Sequence, residues 1–336
     1  MGKILVTGGA GYIGAHTVKR LVQSGHEVVV LDNLSTGHRD FARFADFVLG
    51  DVRDPVILDS LFASRAIDAV IHFAAASQVG ESVRDPLFYY QNNVSGALAL
   101  LGAMRKHMVN TLVFSSSCAV YGPPFDGLLT EDHPIAPLSP YAATKNMIER
   151  ILEDMARASG LKYVALRYFN AAGADTDAEV GERHLPETHL IPLVLQTALG
   201  QRERLEIFGD DYPTPDGTAI RDYVHVLDLA DAHISALNYL QKGGAPRAFN
   251  LGNGQGLSVL QIINAAREVT GQPIPVHMAP RRAGDSTRLV GDATLARQTL
   301  GWAPNHADIH DILATAWAWH QKEAACLPQS PRPAAL

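Results

Sequence analysis

Lys3-Ile4-Leu5-Val6-Thr7-Gly8-Gly9-Ala10-Gly11-Tyr12-Ile13-Gly14 decides the fold of this chain. Its first five residues form a short, mostly apolar run of strand length. Ile13–Ser24, which follows, carries the apolar period of a helix. Between them stand glycines at 8, 11 and 14. In a strand–turn–helix unit these three give a tight turn, close approach of backbone to a pyrophosphate, and close packing of helix on sheet; the helix N-terminus then faces the phosphates. Outside that context the same spacing describes a plain turn. Glu27–Leu31 reads as a second strand, and Asp32 ends it. A carboxylate there accepts hydrogen bonds from an adenine-ribose 2′-hydroxyl and repels a 2′-phosphate, so the loop favours NAD over NADP. Asn33 follows where an arginine would point to NADP, and Arg39 is the nearby cation that keeps the second reading open.

Outward from this unit the alternation continues. Phe47–Leu49, Ala69–Phe73 and Thr111–Ser115 read as strands, with helical patterns at Val56–Ala63 and Val94–His107 between them. A long helix over 140–159 and a strand at Tyr163–Tyr168 extend the scheme. Strands and helices alternating at this pace imply a parallel sheet covered on both faces. After Asn170 the rhythm breaks: 171–190 is polar and irregular, and short strands (Leu205–Phe208, Phe249–Leu251) mix with helices at Leu227–Leu240, Ser258–Thr270 and Asp308–Ala324. The expected fold is α/β, a Rossmann-type doubly wound parallel sheet with a smaller mixed α/β C-terminal lobe. The expected division is a nucleotide-binding domain at 1–170 carrying the catalytic residues, a lobe at 171–326 with chain returns to the sheet, and a disordered tail at 327–336. Trp317 and Trp319 are expected to pack the last helix on the second lobe.

Composition narrows the class. The chain has 336 residues, 47% hydrophobic and 19% charged, enough to bury a large core. A net charge of -7 argues against nucleic acid or anionic membrane as a general partner. Cys118 and Cys326 share no metal or redox spacing, and no apolar run reaches the length of a membrane span. No leader is apparent before Ile4-Leu5-Val6, so a cytoplasmic protein is expected. The 14 histidines form no His-Glu-x-x-His, and no metal site is expected; His72 reads as a satisfied core histidine.

Chemistry enters at Ser139-Pro140-Tyr141-Ala142-Ala143-Thr144-Lys145. Ser139 suits an N-cap, Pro140 the first helical position, and Gly160 the helix end. Tyr141 and Lys145, four apart, share one helical face. A free phenol is a poor base at neutral pH; a nearby ammonium, and a cationic nicotinamide if one is bound, would favour the phenolate. Taken alone, Tyr-x-x-x-Lys fits many helix surfaces. Here Asp51-Val52, Phe73-Ala74-Ala75-Ala76-Ser77 and Ser115-Ser116-Ser117-Cys118 all fall past strands at the sheet edge where such folds bind ligands.

Further stretches complete a pattern: Val79-Gly80-Glu81-Ser82-Val83; Pro86-Leu87-x-Tyr89-Tyr90-x-Asn92-Asn93-Val94; Arg167-Tyr168-Phe169-Asn170; Asp211 through Val226, with Arg221-Asp222 inside it; and Ala279-Pro280-Arg281-Arg282-x-Gly284-Asp285. With the glycine loop they resemble the extended short-chain dehydrogenase/reductase family, most closely its epimerases of UDP-hexoses, over Lys3 to about Gln321. The resemblance implies NAD-dependent inversion at C4, UDP-galactose to UDP-glucose, through a transient 4-keto sugar. It implies Tyr141 as base, Lys145 as the lysine that holds the nicotinamide ribose and lowers the tyrosine pKa, and Ser117 as the hydroxyl bonding the sugar O4. Gly8, Gly11, Tyr12, Ile13, Gly14, Asp32, Asn33, Leu34, Ser35, Thr36, Gly37, Asp51, Val52, Phe73, Ala74, Ala75, Ser77, Asn92 and Phe169 fall with Tyr141 and Lys145 on the cofactor contacts. Asn170, His189, Leu190, Phe208, Arg221, Arg282, Asp285 and Leu289 fall with Ser117 and Tyr141 on the UDP-sugar contacts. A homodimer through the helices at 94–107 and 140–159 is implied as well.

Some positions depart from some members. Ser77 stands where certain epimerases have lysine, His189 replaces an asparagine, and Leu289 is intermediate in size at the pocket for the C2 substituent. UDP-GlcNAc, UDP-glucuronate and UDP-pentoses therefore stay open as substrates. The dehydratases and decarboxylases of the same fold carry an acid beside the active-site hydroxyl, where this chain has Ser117-Cys118-Ala119. A non-catalytic NAD-binding sensor or scaffold would have lost Tyr141, Lys145 or Ser117, and all three are present.

Overall fold

The computed structural model describes residues 2–122, 127–282 and 286–326. The tail at 327–336 and Asp285, for which the sequence reading made expectations, lie outside the described residues.

The chain begins with β1 (Lys3–Thr7), α1 (Tyr12–Gln23), β2 (Glu27–Asp32), β3 (Asp46–Leu49), α2 (Pro55–Ser64) and β4 (Ile67–His72). Short helices α3 (Val79–Arg84) and α4 (Pro86–Tyr89) follow, then α5 (Gly96–Lys106), β5 (Thr111–Ser115), α6 (Pro140–Ser159), β6 (Lys162–Tyr168) and β7 (Asn170–Ala172). The rest comprises α7 (Leu190–Ala198), β8 (Leu205–Phe208), β9 (Ile220–His225), α8 (Val226–Gln241), β10 (Arg247–Leu251), β11 (Gly256–Ser258), α9 (Val259–Thr270), β12 (Val276–Ala279), β13 (Arg288–Leu289), α10 (Thr294–Leu300) and α11 (Ile309–Cys326).

Among the described residues the main sheet has seven strands in the order β10-β6-β5-β4-β1-β2-β3, all parallel. Its strands read as apolar runs because both faces are covered, and each strand divides its side chains between them. Ile4, Val6, Val30, Ile71, Val113, Val164 and Leu166 pack with Val18 and Leu21 of α1 and Leu229, Leu237 and Leu240 of α8. Leu5, Val29, Leu31, Val70, Leu112, Phe114 and Ala165 pack with Leu58 and Leu61 of α2, Leu100 and Met104 of α5, and Ile148 and Leu152 of α6. The strand order reverses between β1 and β4, the crevice where open α/β sheets bind ligands.

Beyond β6 the chain leaves the sheet and comes back. α7, β8, α9 and α11 enclose a separate core around Ile191, Leu195, Ile207, Ile263 and Leu313. Between visits to that core, α8 covers one face of the main sheet and β10 adds its edge strand beside β6. β9 joins the two parts: it pairs with β7, β11 and β13.

The sequence reading missed β7, β9, β11, β12 and β13, each of only two to six residues. It also ran one helix over Val94–His107, where the structure has a π-helical turn at Tyr90–Ser95 leading into α5. The last helix departs from expectation as well. Trp317 does pack on the second core, but Trp319 crosses to the first domain, its ring 5.6 Å from that of Phe41, which lies in the 3₁₀ turn Arg39–Phe44.

Candidate active site

The glycine loop lies at the switch point, and its shape requires glycine. Gly8 has φ +74°, and a Cβ there would sit 2.5 Å from the Ala74 nitrogen, at the end of β4. At Gly14 a Cβ would sit 2.2 Å from the Gly8 carbonyl oxygen. Both glycines are thus required by close approach of backbone to backbone, which draws the loop tight against the end of β4 and against α1. Gly11 is the N-cap of α1 and Ile13 lies in its first turn. Tyr12 is buried, its hydroxyl donating to the Gly173 carbonyl at 2.6 Å, so the loop is pinned to the start of the second lobe.

Asp32 ends β2 as expected. Its Oδ2 accepts from the Ala10 nitrogen at 3.0 Å and Oδ1 from Leu34 at 2.8 Å, while burial raises its pKa. Leu34 has φ +59°, a strained conformation for a bulky residue that holds the loop Asn33 to Gly37 in place. Asn33 donates to Asp51, whose carboxyl is held well below the usual range by Arg53; Val52 beside it is buried. Arg39, the residue that left NADP open, lies instead on the Phe47 ring at 4.0 Å.

The far wall is built by β4, β5 and α6. Phe73, Ala74 and Ala75 are half-buried and Ser77 exposed. The half-buried Asn92 is held by Asn93, a buried residue that the sequence reading left without a role. Asn93 accepts from the Ala76 nitrogen at 2.8 Å and donates to the Ala76 carbonyl and the Thr144 hydroxyl at 3.0 Å each, tying the loop after β4 to α6.

Helix α6 presents Tyr141 and Lys145, the expected catalytic pair. The Ser139 side chain caps it by accepting from Ala142, Pro140 opens it, and Gly160 closes it with φ 70°. Lys145 is buried, donates to the Ser115 carbonyl at 2.6 Å, and lies 5.9 Å from the centre of the Tyr141 ring. Ser117 is buried at the end of β5, and its hydroxyl draws the Tyr141 pKa down. Burial nevertheless dominates: it pushes the Tyr141 phenol up to about 12 and the Lys145 ammonium down to about 7. Burial is the larger effect on the phenol, so a shift toward neutrality rests on positive charge nearby, from Lys145 and from a cationic nicotinamide when one is bound.

One turn beyond Lys145, the buried Glu149 draws the lysine pKa back up. Its carboxylate takes a two-pronged bond from Arg167 (Nε to Oε1 at 3.0 Å) and a short hydrogen bond from Ser116. Arg167 also donates to the Tyr121 hydroxyl at 3.0 Å, and Tyr121 donates to Asn250 at 2.6 Å. Tyr141, Lys145 and Glu149 occupy one stripe of α6 at i, i+4 and i+8. That spacing was the available signal for Glu149.

The second lobe faces this wall through β9. The Arg221 charge reaches Cys118, the neighbour of Ser117, and its Nη1 donates to the Ser286 carbonyl at 2.7 Å. Leu289 pairs directly with Arg221 across β13 and β9. Asn170 donates to the Asp222 carbonyl at 2.9 Å, and Phe169 is buried against Gly291, where a Cβ would come within 2.1 Å of its ring. The Arg282 guanidinium carbon lies over the Phe208 ring, 3.8 Å from its centre, which brings two of the expected substrate contacts together. His189 is the N-cap of α7, ahead of the half-buried Leu190, and turns its ring toward Glu182.

Comparisons with known proteins show the family. The family model described as the NAD dependent epimerase/dehydratase family matches residues 4–252. A UDP-glucose 4-epimerase of Halalkalibacterium halodurans is 52% identical over 319 residues, covering 95% of this chain and 96% of that protein. The solved structure of a UDP-glucose 4-epimerase from Brucella ovis in complex with NAD is 49% identical and superposes with a TM-score of 0.92, covering 95% of this chain and 98% of that one. Another, from Bifidobacterium longum in complex with NAD+ and UDP, is 39% identical with a TM-score of 0.91, covering 96% and 99%. With identity at this level over nearly the full length of both partners, this chain belongs to the NAD-dependent epimerase/dehydratase family.

Proposed function

We propose that this chain inverts C4 of a UDP-hexose, interconverting UDP-galactose and UDP-glucose, and that it keeps its NAD through turnover. The observation that carries the reading is the placing of Tyr141, Lys145 and Ser117 at one sheet end, opposite the β9 strand that bears Arg221. Similar proteins named as UDP-glucose 4-epimerases support the substrate class, and two solved relatives hold NAD or UDP.

The glycine loop, Asp32 and Lys145 would hold the cofactor, which when bound supplies an acceptor and donor of hydride for C4. Tyr141 takes the proton of the 4-hydroxyl. Its pKa of about 12 makes that transfer depend on positive charge nearby, of which Lys145 is the chain's own share. Ser117 bonds the same oxygen and orients it. The sugar becomes a 4-ketose, and its reduction on the opposite face requires the ring to turn while the rest of the nucleotide stays fixed. Arg221 and Arg282 suit that anchoring role, because guanidinium groups clamp a diphosphate at two points, and energy from this remote end anchors the ring without gripping it. With no acid next to Ser117, elimination has no proton donor there. A cytoplasmic homodimer is part of this reading, supported by the exposed apolar Leu98 on α5 and Met147 on α6.

The test is conversion of UDP-galactose by the purified protein with no NAD added, with Tyr141→Phe as control. UDP-glucose formed by the wild type and abolished by the substitution is the expected result. No conversion even with added NAD would overturn the hexose assignment.

A further inference from the structure

The loop that leads into α7 gathers four metal-ligating side chains, of which only His189 falls on an expected UDP-sugar contact. Glu182, His184, Glu187 and His189 fall within eight residues, Glu-x-His-x-x-Glu-x-His, and each offers one ligand atom within 4.8 Å of the others. The Nδ1 of His184 is 3.2 Å from Oε1 of Glu182 and 3.8 Å from Oε2 of Glu187. The Nδ1 of His189 is 3.7 Å from Oε1 of Glu187 and in short contact with Oε1 of Glu182. A tetrahedral zinc site with ligand bonds of about 2.0–2.2 Å has neighbouring ligand atoms roughly 3.3–3.6 Å apart, so this quartet is near that scale.

Two further features point to a cation rather than to a plain ion-pair cluster. Both carboxylates are buried, each side chain only 5% exposed, and among the described residues their ion pairs are with these two histidines, with no lysine or arginine. Two buried negative charges need offsetting positive charge, which protonated imidazoles or a bound cation can supply. Second, the His184 Nδ1 is buried and faces both carboxylates, 3.2 Å from Glu182 and 3.8 Å from Glu187, without the alignment of a good donor. A lone pair aimed at a common centre gives that combination. The frame is also held from outside. Glu187 accepts from the Thr188 and His189 backbones at 2.7 and 2.9 Å, the Glu182 carbonyl accepts from the Trp319 indole at 3.1 Å, and the Arg183 carbonyl lies 2.9 Å from His38.

We propose that Glu182, His184, Glu187 and His189 form a structural binding site for one divalent transition-metal ion, with Zn2+ the ion that the two-nitrogen, two-oxygen tetrahedral set fits best. With four protein ligands the site has no open position for catalysis. Its place defines its work: it fixes the loop between the glycine-loop residue Tyr12, whose ring meets His184 edge-on at 6.5 Å, and the start of α7 with Leu190. The ion would thus brace the substrate lobe against the cofactor loop.

The experiment titrates the chelator-stripped full chain with Zn2+ against a chromophoric competitor, and repeats the titration with His184→Ala, His189→Ala and, as control, His310→Ala. One equivalent bound tightly, an affinity lowered roughly 100-fold or more in both loop variants and unchanged in the control, is expected. Co2+ in the wild type should give the strong visible absorption of a tetrahedral site. Circular dichroism of each variant establishes that it is folded before titration. Weak binding without one-to-one stoichiometry, or equal binding by a folded His184→Ala variant, would overturn the proposal and leave the quartet as two protonated imidazoles on two carboxylates. The readout is metal content, so it stands or falls separately from epimerisation.

Discussion

Tyr141 and Lys145 show how far one side chain's chemistry is set by its surroundings. Both lie in a pocket where burial opposes charge, so each needs help: the phenol from positive charge, the ammonium from Glu149. Tyr141→Phe should lower kcat about 10²–10⁴-fold with little change in KM, the signature of a lost general base, read by steady-state kinetics. Glu149→Gln tests the helper. Glu149 raises the Lys145 pKa, so neutralising it lowers that pKa further below its present value of about 7. The ammonium form, which favours the phenolate, is then lost at lower pH. The alkaline limb of kcat/KM should therefore move down in pH, while an unshifted limb would assign Glu149 to packing with Arg167 alone. Tyr141 and Lys145 could be paired in the sequence by their i, i+4 spacing, whereas Ser117 was picked out by its place past a strand and by the family resemblance. Glu149 and Asn93 were harder to see: their partners Arg167 and Thr144 are distant in sequence, and only the fold brings them together.

At the scale of elements, the readable parts were those with strong local signals. Helix α6 has serine, proline and glycine at its ends, and the glycine loop has no sterically allowed alternative at position 8. Ser139→Ala should cost about 1 kcal/mol of stability in chemical denaturation, because the Ala142 nitrogen loses its cap. Gly8→Ala should reduce the NAD that copurifies with the protein, measured by absorbance after acid release, since the new methyl must displace the backbone at Ala74. The strands of the second lobe were not legible. β11 and β13 have three and two residues, too short for alternation to appear, and their pairing with β9 is a tertiary fact. The quartet before α7 escaped for a related reason: its spacing matches none of the helical histidine patterns, because the ligands come from a loop.

For the whole molecule, the two parts are interlaced rather than strung in sequence. The 1–170 segment contains the glycine loop and α6 but lacks α8 and β10, which complete the main core. A fragment ending at residue 170 should therefore be insoluble or molten, with low thermal cooperativity and no retained NAD. A well-folded NAD-binding fragment would show that α8 and β10 are dispensable. The same interlacing takes a different form during synthesis. β6 is the sheet's outer strand until β10 arrives, and the last residue of β10 leaves the ribosome 83 residues after the last residue of β6 (251 minus 168). At about 5–20 residues per second that interval is on the order of 4–17 s. For that time a growing chain presents an open strand edge and an uncovered apolar sheet face. Recognition by ribosome-associated chaperones should peak between these two lengths and fall once β10 has docked.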